Sequence, residues 1–166
     1  MIADQNGFRP SLVGLLPDLR AFARFLARDA AAADDLVQDA LLRALRSEAQ
    51  WEPGTSLKAW TFTILRNAFL EGRRRAGVRQ RALDSVSVND ASPAGQEAMM
   101  ELAGVARALG TLPPEQQEAI VLVGAMGLSS DEAAAVAGVA VGTLKARVSR
   151  GRRALASRFE RHEAPG

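Results

Sequence analysis

Cysteine and tyrosine are absent from this 166-residue sequence, and histidine occurs once, at His162. Without cysteine, the sequence offers no disulfide framework and no thiolate-based metal or redox centre. A single histidine argues against a histidine-ligated zinc site and against a nucleophile–base pair, and no glycine-rich phosphate loop is present. These absences argue against an enzyme. We therefore expect no catalytic residue, no metal and no cofactor.

Long apolar runs are also missing. The longest, Ala119 to Leu128, is too short to cross a bilayer, and Asp4 precedes any basic residue, unlike in a secretory signal. The sequence therefore predicts a cytoplasmic protein without membrane insertion. Aromatic residues are sparse, whereas alanine, leucine and arginine are abundant, which favours helices over sheets.

Hydrophobic positions recur at helical spacing in two regions separated by a polar segment. In segment 77–95, Ser, Asp, Asn, Pro and Gly accumulate and the periodicity weakens, which is typical of a linker. We therefore predict an all-α fold of two small helical domains, residues 8–76 and 96–162, joined by a flexible linker. The second predicted helix has a buried stripe from Leu36 to Leu45, and Pro17 marks a helix start or a kink. The predicted helices are 12–26, 33–46, 57–75, 96–109, 115–125, 130–137 and 140–159.

Charge is unevenly distributed, although the net charge is only +2. Arginines are concentrated in segments 66–81 and 145–161, whereas aspartates cluster in segment 29–39. This separation favours a polyanionic partner and a separate protein partner, with plain solvated helix faces as the equal alternative.

Residues 129–150 have the spacing of a helix-turn-helix. Ser129 and Glu132 have capping-box spacing at the start of the first helix, and Gly138 stands where a left-handed C-cap belongs. The second helix would present a polar and basic face that can enter the major groove. An ordinary helix pair with a basic surface is the alternative. The outward residues are Thr143, Lys145, Ala146, Ser149 and Arg150.

The second predicted helix carries one acidic outward face, because Asp35, Gln38, Asp39 and Leu42 lie at i, i+3, i+4 and i+7. An exposed leucine among acidic residues suits a partner helix, although a solvated face with one stray leucine is the alternative. Carboxylates at this spacing could in principle hold Mg²⁺, but their helical setting favours protein contact.

A polar loop precedes the basic third predicted helix. This arrangement suits single-stranded DNA, because unstacked bases can enter a pocket while phosphates follow the basic residues. Trp60 has the spacing of a core residue, whereas Trp51 is open to either a core or a DNA-binding role. The candidate residues are Gln50, Trp51, Thr55, Ser56, Arg66, Asn67, Arg73 and Arg74.

Four segments, in order, resemble extracytoplasmic-function sigma factors of bacterial RNA polymerase. ADDLVQDALLR at 33–43 resembles their region 2.2, and PGTSLKAW at 53–60 with ILRN at 64–67 resembles regions 2.3 and 2.4. LPPEQQEA at 112–119 and VGTLKARVSR at 141–150 resemble region 4. The sequences LLP at 15–17, PGT at 53–55 and LVGA at 122–125 favour the alphaproteobacterial general-stress-response branch.

The resemblance implies a role for each surface. The acidic face would contact the clamp helices of core RNA polymerase. The loop 50–56, with Arg66 and Asn67, would handle the melted −10 strand. Lys145, Ala146, Ser149 and Arg150 would read the −35 element, with Thr143 and Arg147 nearer phosphates. An anti-sigma protein is the further expected partner.

The leading hypothesis is a sigma factor that directs core RNA polymerase to promoters, including those of stress-response genes. Two alternatives stay open: a sigma-like decoy that binds an anti-sigma protein, and a plain helix-turn-helix regulator. The basic final helix argues against the decoy, and the plain regulator gives no account of the first domain. Ala146 stands where many members of the family have serine, which puts one hydrogen bond to DNA in doubt.

Overall fold

A computed structural model describes residues 7–80 and 98–163, with side chains described for 7–77 and 103–161. These residues form helices and short turns, and no strand occurs in the two ranges, which confirms the predicted all-α fold. The chain divides into two compact units, Met1–Ala91 and Ser92–Gly166. Most of the predicted linker, from residue 81 onward, lies outside the described residues.

The first unit contains helices α1 (Phe8–Gly14), α2 (Leu16–Ala27), α3 (Ala30–Arg46) and α4 (Leu57–Gln80). A turn of 3₁₀ helix, Glu48–Gln50, lies between α3 and α4. Pro17 stands in the first turn of α2, so the predicted break there is a helix start.

The helix predicted for 12–26 is divided into α1 and α2, and two further helix boundaries in this unit differ from the prediction. Helix α3 begins at Ala30 rather than at residue 33, because the Asp29 carboxylate accepts a hydrogen bond from the Ala32 amide at 2.9 Å and caps the helix. Helix α4 continues to Gln80, past the predicted linker start at residue 77. Gly77 does not adopt the left-handed conformation that would end the helix.

The core of the first unit lies between α2, α3 and α4. Phe22 and Phe62 are fully buried and stack with ring centroids 4.9 Å apart. A second cluster joins Phe8 of α1 to both tryptophans, and Trp60 meets Phe8 edge-on at 6.0 Å, as its core spacing predicted. Leu45 was predicted to be buried but is 41% exposed. The apolar cluster involves the neighbouring Ala44 and Leu41, and Leu45 lies outside it.

The second unit contains α5 (Ala98–Gly110), α6 (Pro114–Ile120), α7 (Ser130–Ala137) and α8 (Val141–Glu163). A π-helical turn, Val121–Ala125, replaces the end of the helix predicted for 115–125. The five-residue hydrogen-bond spacing of a π-helix is seen where the Met126 amide donates to the Val121 carbonyl at 2.9 Å.

Local signals in the sequence set the turn between α7 and α8. Ser129 accepts from the Glu132 amide at 3.1 Å, and the Ser129 amide donates back to the Glu132 carboxylate at 3.4 Å. Gly138 ends α7 with φ at 69°, a conformation that costs little without a Cβ. The predicted helix-turn-helix spacing is therefore present.

Helix α8 lies close against α6 and α7. Leu144 and Val148 are buried on its inner side, and Gly151 continues that side into contact with α6. In residues 7–80 and 98–163, no helix is both long enough and apolar enough to cross a membrane.

Candidate nucleic-acid and protein interfaces

The acidic face of α3, formed by Asp35, Gln38, Asp39 and Leu42, is exposed along its length. Leu42 is 53% exposed, although leucine is usually buried. The opposite side of α3 is buried through Ala33, Val37, Ala40 and Ala44. The structure therefore brings the four predicted residues onto one surface of the first unit.

Leu45 extends this surface. This was not predicted from the sequence, because Leu45 was assigned to the buried stripe of the helix. It lies one turn after Leu42, and the two are among the exposed large hydrophobic residues of the described chain. Paired exposed leucines beside carboxylates form a mixed apolar and acidic patch, which is the kind of surface that binds a partner helix.

The carboxylates of α3 do not converge on a metal site. Within the described residues, no group of three or more histidine, cysteine, aspartate or glutamate side chains is placed to hold a metal ion. Asp34 and Asp35 are exposed, and Asp39 makes an ion pair with Arg43 on the same helix, with Oδ1 3.0 Å from Nε.

The loop 50–56 is ordered by its own hydroxyl groups. The Ser56 hydroxyl accepts from the Ala59 amide at 3.1 Å and caps α4, while the Thr55 hydroxyl donates to the Glu52 carbonyl at 2.6 Å. Gly54 adopts φ of 92°, which allows the tight turn between these residues. Gln50 and Thr55 are exposed on this loop.

Trp51 is half-buried rather than displayed on the loop. Its ring lies against Phe8 with centroids 5.6 Å apart, and its Nε1 atom is buried without a hydrogen-bond partner. The indole therefore contributes to packing beneath the loop, and its predicted contact with DNA stays a prediction.

Helix α4 carries the basic residues that follow the loop. Ser56, Asn67 and Arg74 are separated by nearly whole helical turns, so they lie along one side of α4, with Arg66 and Arg73 next to them. Asn67, Arg73 and Arg74 are exposed, Arg66 is partly exposed, and the Arg73 guanidinium lies 5.8 Å from the Phe69 ring centre. Asn67, Arg73 and Arg74, with Arg66 beside them, form the basic side of α4, which follows the loop in the chain.

The outward side of α8 is polar and basic over its first turns. Thr143, Lys145, Ser149 and Arg150 are exposed, and Ala146 and Arg147 are partly exposed. Within the described residues, no ion pair involves the cations of this helix, so their charge faces solvent. Such a surface can meet phosphates and base edges of a duplex.

The division of the chain into two units agrees with the family comparisons. Residues 13–79 match the family Sigma-70 region 2, and residues 102–155 match Sigma-70, region 4. The acidic face of α3 and the basic side of α4 lie in the first match. The outward face of α8 lies in the second.

Two similar proteins are both described as ECF RNA polymerase sigma factors. The chain is 44% identical over 156 residues to the ECF RNA polymerase sigma factor EcfG of Rhodopseudomonas palustris, covering 92% of this chain and 84% of that protein. It is 38% identical over 140 residues to the ECF RNA polymerase sigma factor SigM of Mycobacterium tuberculosis, covering 83% and 69% respectively.

Among solved structures, the sigma factor RpoE in complex with the anti-sigma factor NepR from Bartonella quintana has a TM-score of 0.82 at 41% identity, covering 93% of this chain and 98% of that one. CnrH in complex with the cytosolic domain of CnrY has a TM-score of 0.69 at 27% identity, covering 98% and 92%. These findings confirm the resemblance found in the sequence: the chain belongs to the extracytoplasmic-function (ECF) family of RNA polymerase sigma factors.

Proposed function

We propose that this sigma factor directs core RNA polymerase to promoters through three separate surfaces. The acidic face of α3 binds polymerase, the loop 50–56 with the basic side of α4 binds the melted −10 strand, and α8 reads the −35 element. The observation that carries this proposal is the exposure of all three surfaces on two helical units that match the two sigma-70 regions.

The polymerase contact is argued from the chemistry of the acidic face. Exposed Asp35 and Asp39 provide charge that speeds and orients association with a basic partner surface. Leu42, with Leu45 beside it, provides apolar area that such a partner would bury. A mixed face of this kind fits a helical partner, in agreement with the clamp helices that the family resemblance implies.

The −10 contact combines base capture with phosphate binding. Gln50 and Thr55 are exposed where a flipped base would arrive, and Arg66, Asn67, Arg73 and Arg74 continue along the strand. Unstacking a base costs about a few kcal/mol, so trapping flipped bases favours the melted strand over the duplex. The mechanism is binding of one DNA state and requires no chemical step.

The −35 contact follows from the geometry of the helix-turn-helix. The buried Leu144 and Val148 fix the rotation of α8, so that Lys145, Ser149 and Arg150 face outward. Thr143 and Arg147 flank this face and suit phosphates. Ala146 offers only a methyl group, which can contact a thymine methyl but cannot donate a hydrogen bond.

An anti-sigma protein is the second proposed protein partner. The RpoE structure that matches 93% of this chain was obtained with the anti-sigma factor NepR. The high coverage and identity support a partner of the same kind, and the general-stress motifs at 15–17, 53–55 and 122–125 support stress-response promoters as targets.

Run-off transcription tests the proposal. The full chain is added to purified core RNA polymerase on a library of promoter fragments, and start sites are mapped. We expect initiation at promoters sharing one −35 and one −10 sequence, with no product from either component alone. Duplex binding without polymerase and without transcription would instead indicate a plain regulator. Binding to an anti-sigma protein without transcription would indicate a decoy.

A further inference from the structure

Arg43 joins the acidic face of α3 to α4. Its Nε lies 3.0 Å from Oδ1 of Asp39 on the same helix, and its Nη1 lies 2.8 Å from Oε2 of Glu71 on α4. Its side chain is only 32% exposed, less than either carboxylate partner. Hydrogen bonds to Asp39 and then to Glu71 raise the pKa of Arg43, because both carboxylates stabilise the charged guanidinium.

Planar guanidinium geometry suits this arrangement. Arg43 presents different nitrogens to the two carboxylates, which a lysine ammonium could not do with the same fixed directions. Glu71 is held in turn by Arg75, one turn further along α4, at 3.7 Å. The Asp39 side chain is therefore oriented by a chain of contacts anchored on a second helix.

The same contacts leave Asp39 able to bind a partner. A carboxylate accepts several hydrogen bonds, and Arg43 engages Oδ1 through a single nitrogen. Asp39 remains 49% exposed. Glu71 offsets the positive charge of Arg43 beside Asp39, and Arg75, 73% exposed and 3.7 Å from Glu71, brings the four groups to zero net charge. A basic partner therefore meets the Asp39 carboxylate without an excess positive charge from Arg43.

We propose that Arg43 is a positioning residue for polymerase binding, which holds Asp39 in its binding orientation while Glu71 offsets the charge of Arg43. The inference rests on the proposed contact between Asp39 and core RNA polymerase. In this scheme the orientation of Asp39 is set before the complex forms, so less side-chain freedom is lost on binding.

A double-mutant cycle tests the inference. The Kd of the full chain for core RNA polymerase is measured for the unsubstituted chain, Arg43→Met, Asp39→Asn and the double variant. Arg24→Met is the matched control, because it removes the same charge from an exposed helix position on α2. We expect Arg43→Met to raise Kd about two- to fivefold, the size expected when one short side chain loses its order. Arg24→Met should leave Kd unchanged.

The Asp39→Asn background separates positioning from general support of the helix pair. If Arg43 acts through the Asp39 carboxylate, Arg43→Met changes Kd much less in that background. An equal effect in both backgrounds, or tighter binding by Arg43→Met, would overturn the inference.

Two further measurements complete the test. Glu71→Gln leaves the charge of Arg43 unbalanced beside Asp39 and should also raise Kd, and an unchanged or lower Kd would count against the scheme. Thermal unfolding of each variant ensures that binding is compared between folded proteins. If Asp39→Asn alone left Kd unchanged, the proposed polymerase contact itself would fail, which is a different result from an absent coupling.

Discussion

Gly151 of α8 lies directly against Ile120 of α6, and a Cβ placed at position 151 would overlap Ile120 Cδ1 and lie 3.5 Å from Gln116 Cβ. Because residue 151 has no side chain, the Ile120 side chain occupies the space that a Cβ would take. The contact helps to set the position from which α8 presents its outward face.

Replacing Gly151 with valine should therefore destabilise the second unit. We expect a loss of about 1–3 kcal/mol in the free energy of unfolding, because overpacking forces neighbours from their preferred positions. Gly142→Val is the control, since a Cβ there meets no atom within 4 Å, and it should change stability by less than about 0.5 kcal/mol.

Urea unfolding measures this difference with two probes. Both tryptophans, Trp51 and Trp60, lie in the first unit, so their fluorescence reports that unit alone. Circular dichroism reports the helices of both units. An early loss of ellipticity without a change in fluorescence is the expected result for Gly151→Val, and equal stability of the two valine variants would contradict the close approach.

Reversing the charge of Asp35 and Asp39 together should abolish binding to core RNA polymerase. Both side chains are exposed on α3, so arginine at these positions opposes a basic partner without disturbing the core. Fluorescence anisotropy of labelled protein measures binding, and circular dichroism should show unchanged helicity. Glu160→Arg, an exposed reversal in the second unit, serves as the control. Transcription that survived the double reversal would show that α3 is not the polymerase contact.

Lys145→Ala should weaken binding of the holoenzyme to a promoter fragment and make that binding less dependent on salt. When the exposed ammonium meets a phosphate, the DNA releases a counterion. Without this contact, the slope of log K against log salt should become less negative by about 1. Arg107→Ala, on the exposed side of α5, removes the same charge and should leave the slope unchanged. An unchanged slope for Lys145→Ala would remove this residue from the phosphate contacts.

Trp51→Phe should leave the stability of the first unit unchanged or raise it by up to about 1 kcal/mol. The buried Nε1 group lacks a hydrogen-bond partner in the free protein, and phenylalanine removes that polar group while keeping a ring against Phe8. Urea unfolding followed by circular dichroism measures stability. Run-off transcription distinguishes the two roles of Trp51: full activity indicates packing alone, and a large loss with a stable fold indicates contact with the −10 strand.

Features governed by neighbours in the chain could be predicted from the sequence. The capping box of Ser129 and Glu132, the left-handed Gly138 and the break at Pro17, predicted as a helix start or a kink, each depend on interactions within about one helical turn. The exposed arrangement of Asp35, Gln38, Asp39 and Leu42 also followed from helical periodicity, because one face of α3 has to be buried. These local rules correctly predicted the exposed acidic face and the start of α8 to within one residue, whereas α8 continues to Glu163, beyond the predicted end at residue 159.

The tertiary structure decided what distant segments do to one another. The exposure of Leu45 depends on which side of α3 the apolar cluster covers, and the burial of Trp51 depends on Phe8, far away in the chain. The ion pair of Arg43 with Glu71 likewise requires α3 and α4 to pack so that these two residues lie side by side. The sequence by itself determined the all-α character, the capping box of Ser129 and Glu132, the left-handed Gly138 and the exposed face from Asp35 to Leu42, because these depend on residues a few positions apart. Packing between helices determined the close contact at Gly151 and the ion pair of Arg43 with Glu71, because both depend on the distance between helices, which helical periodicity does not specify.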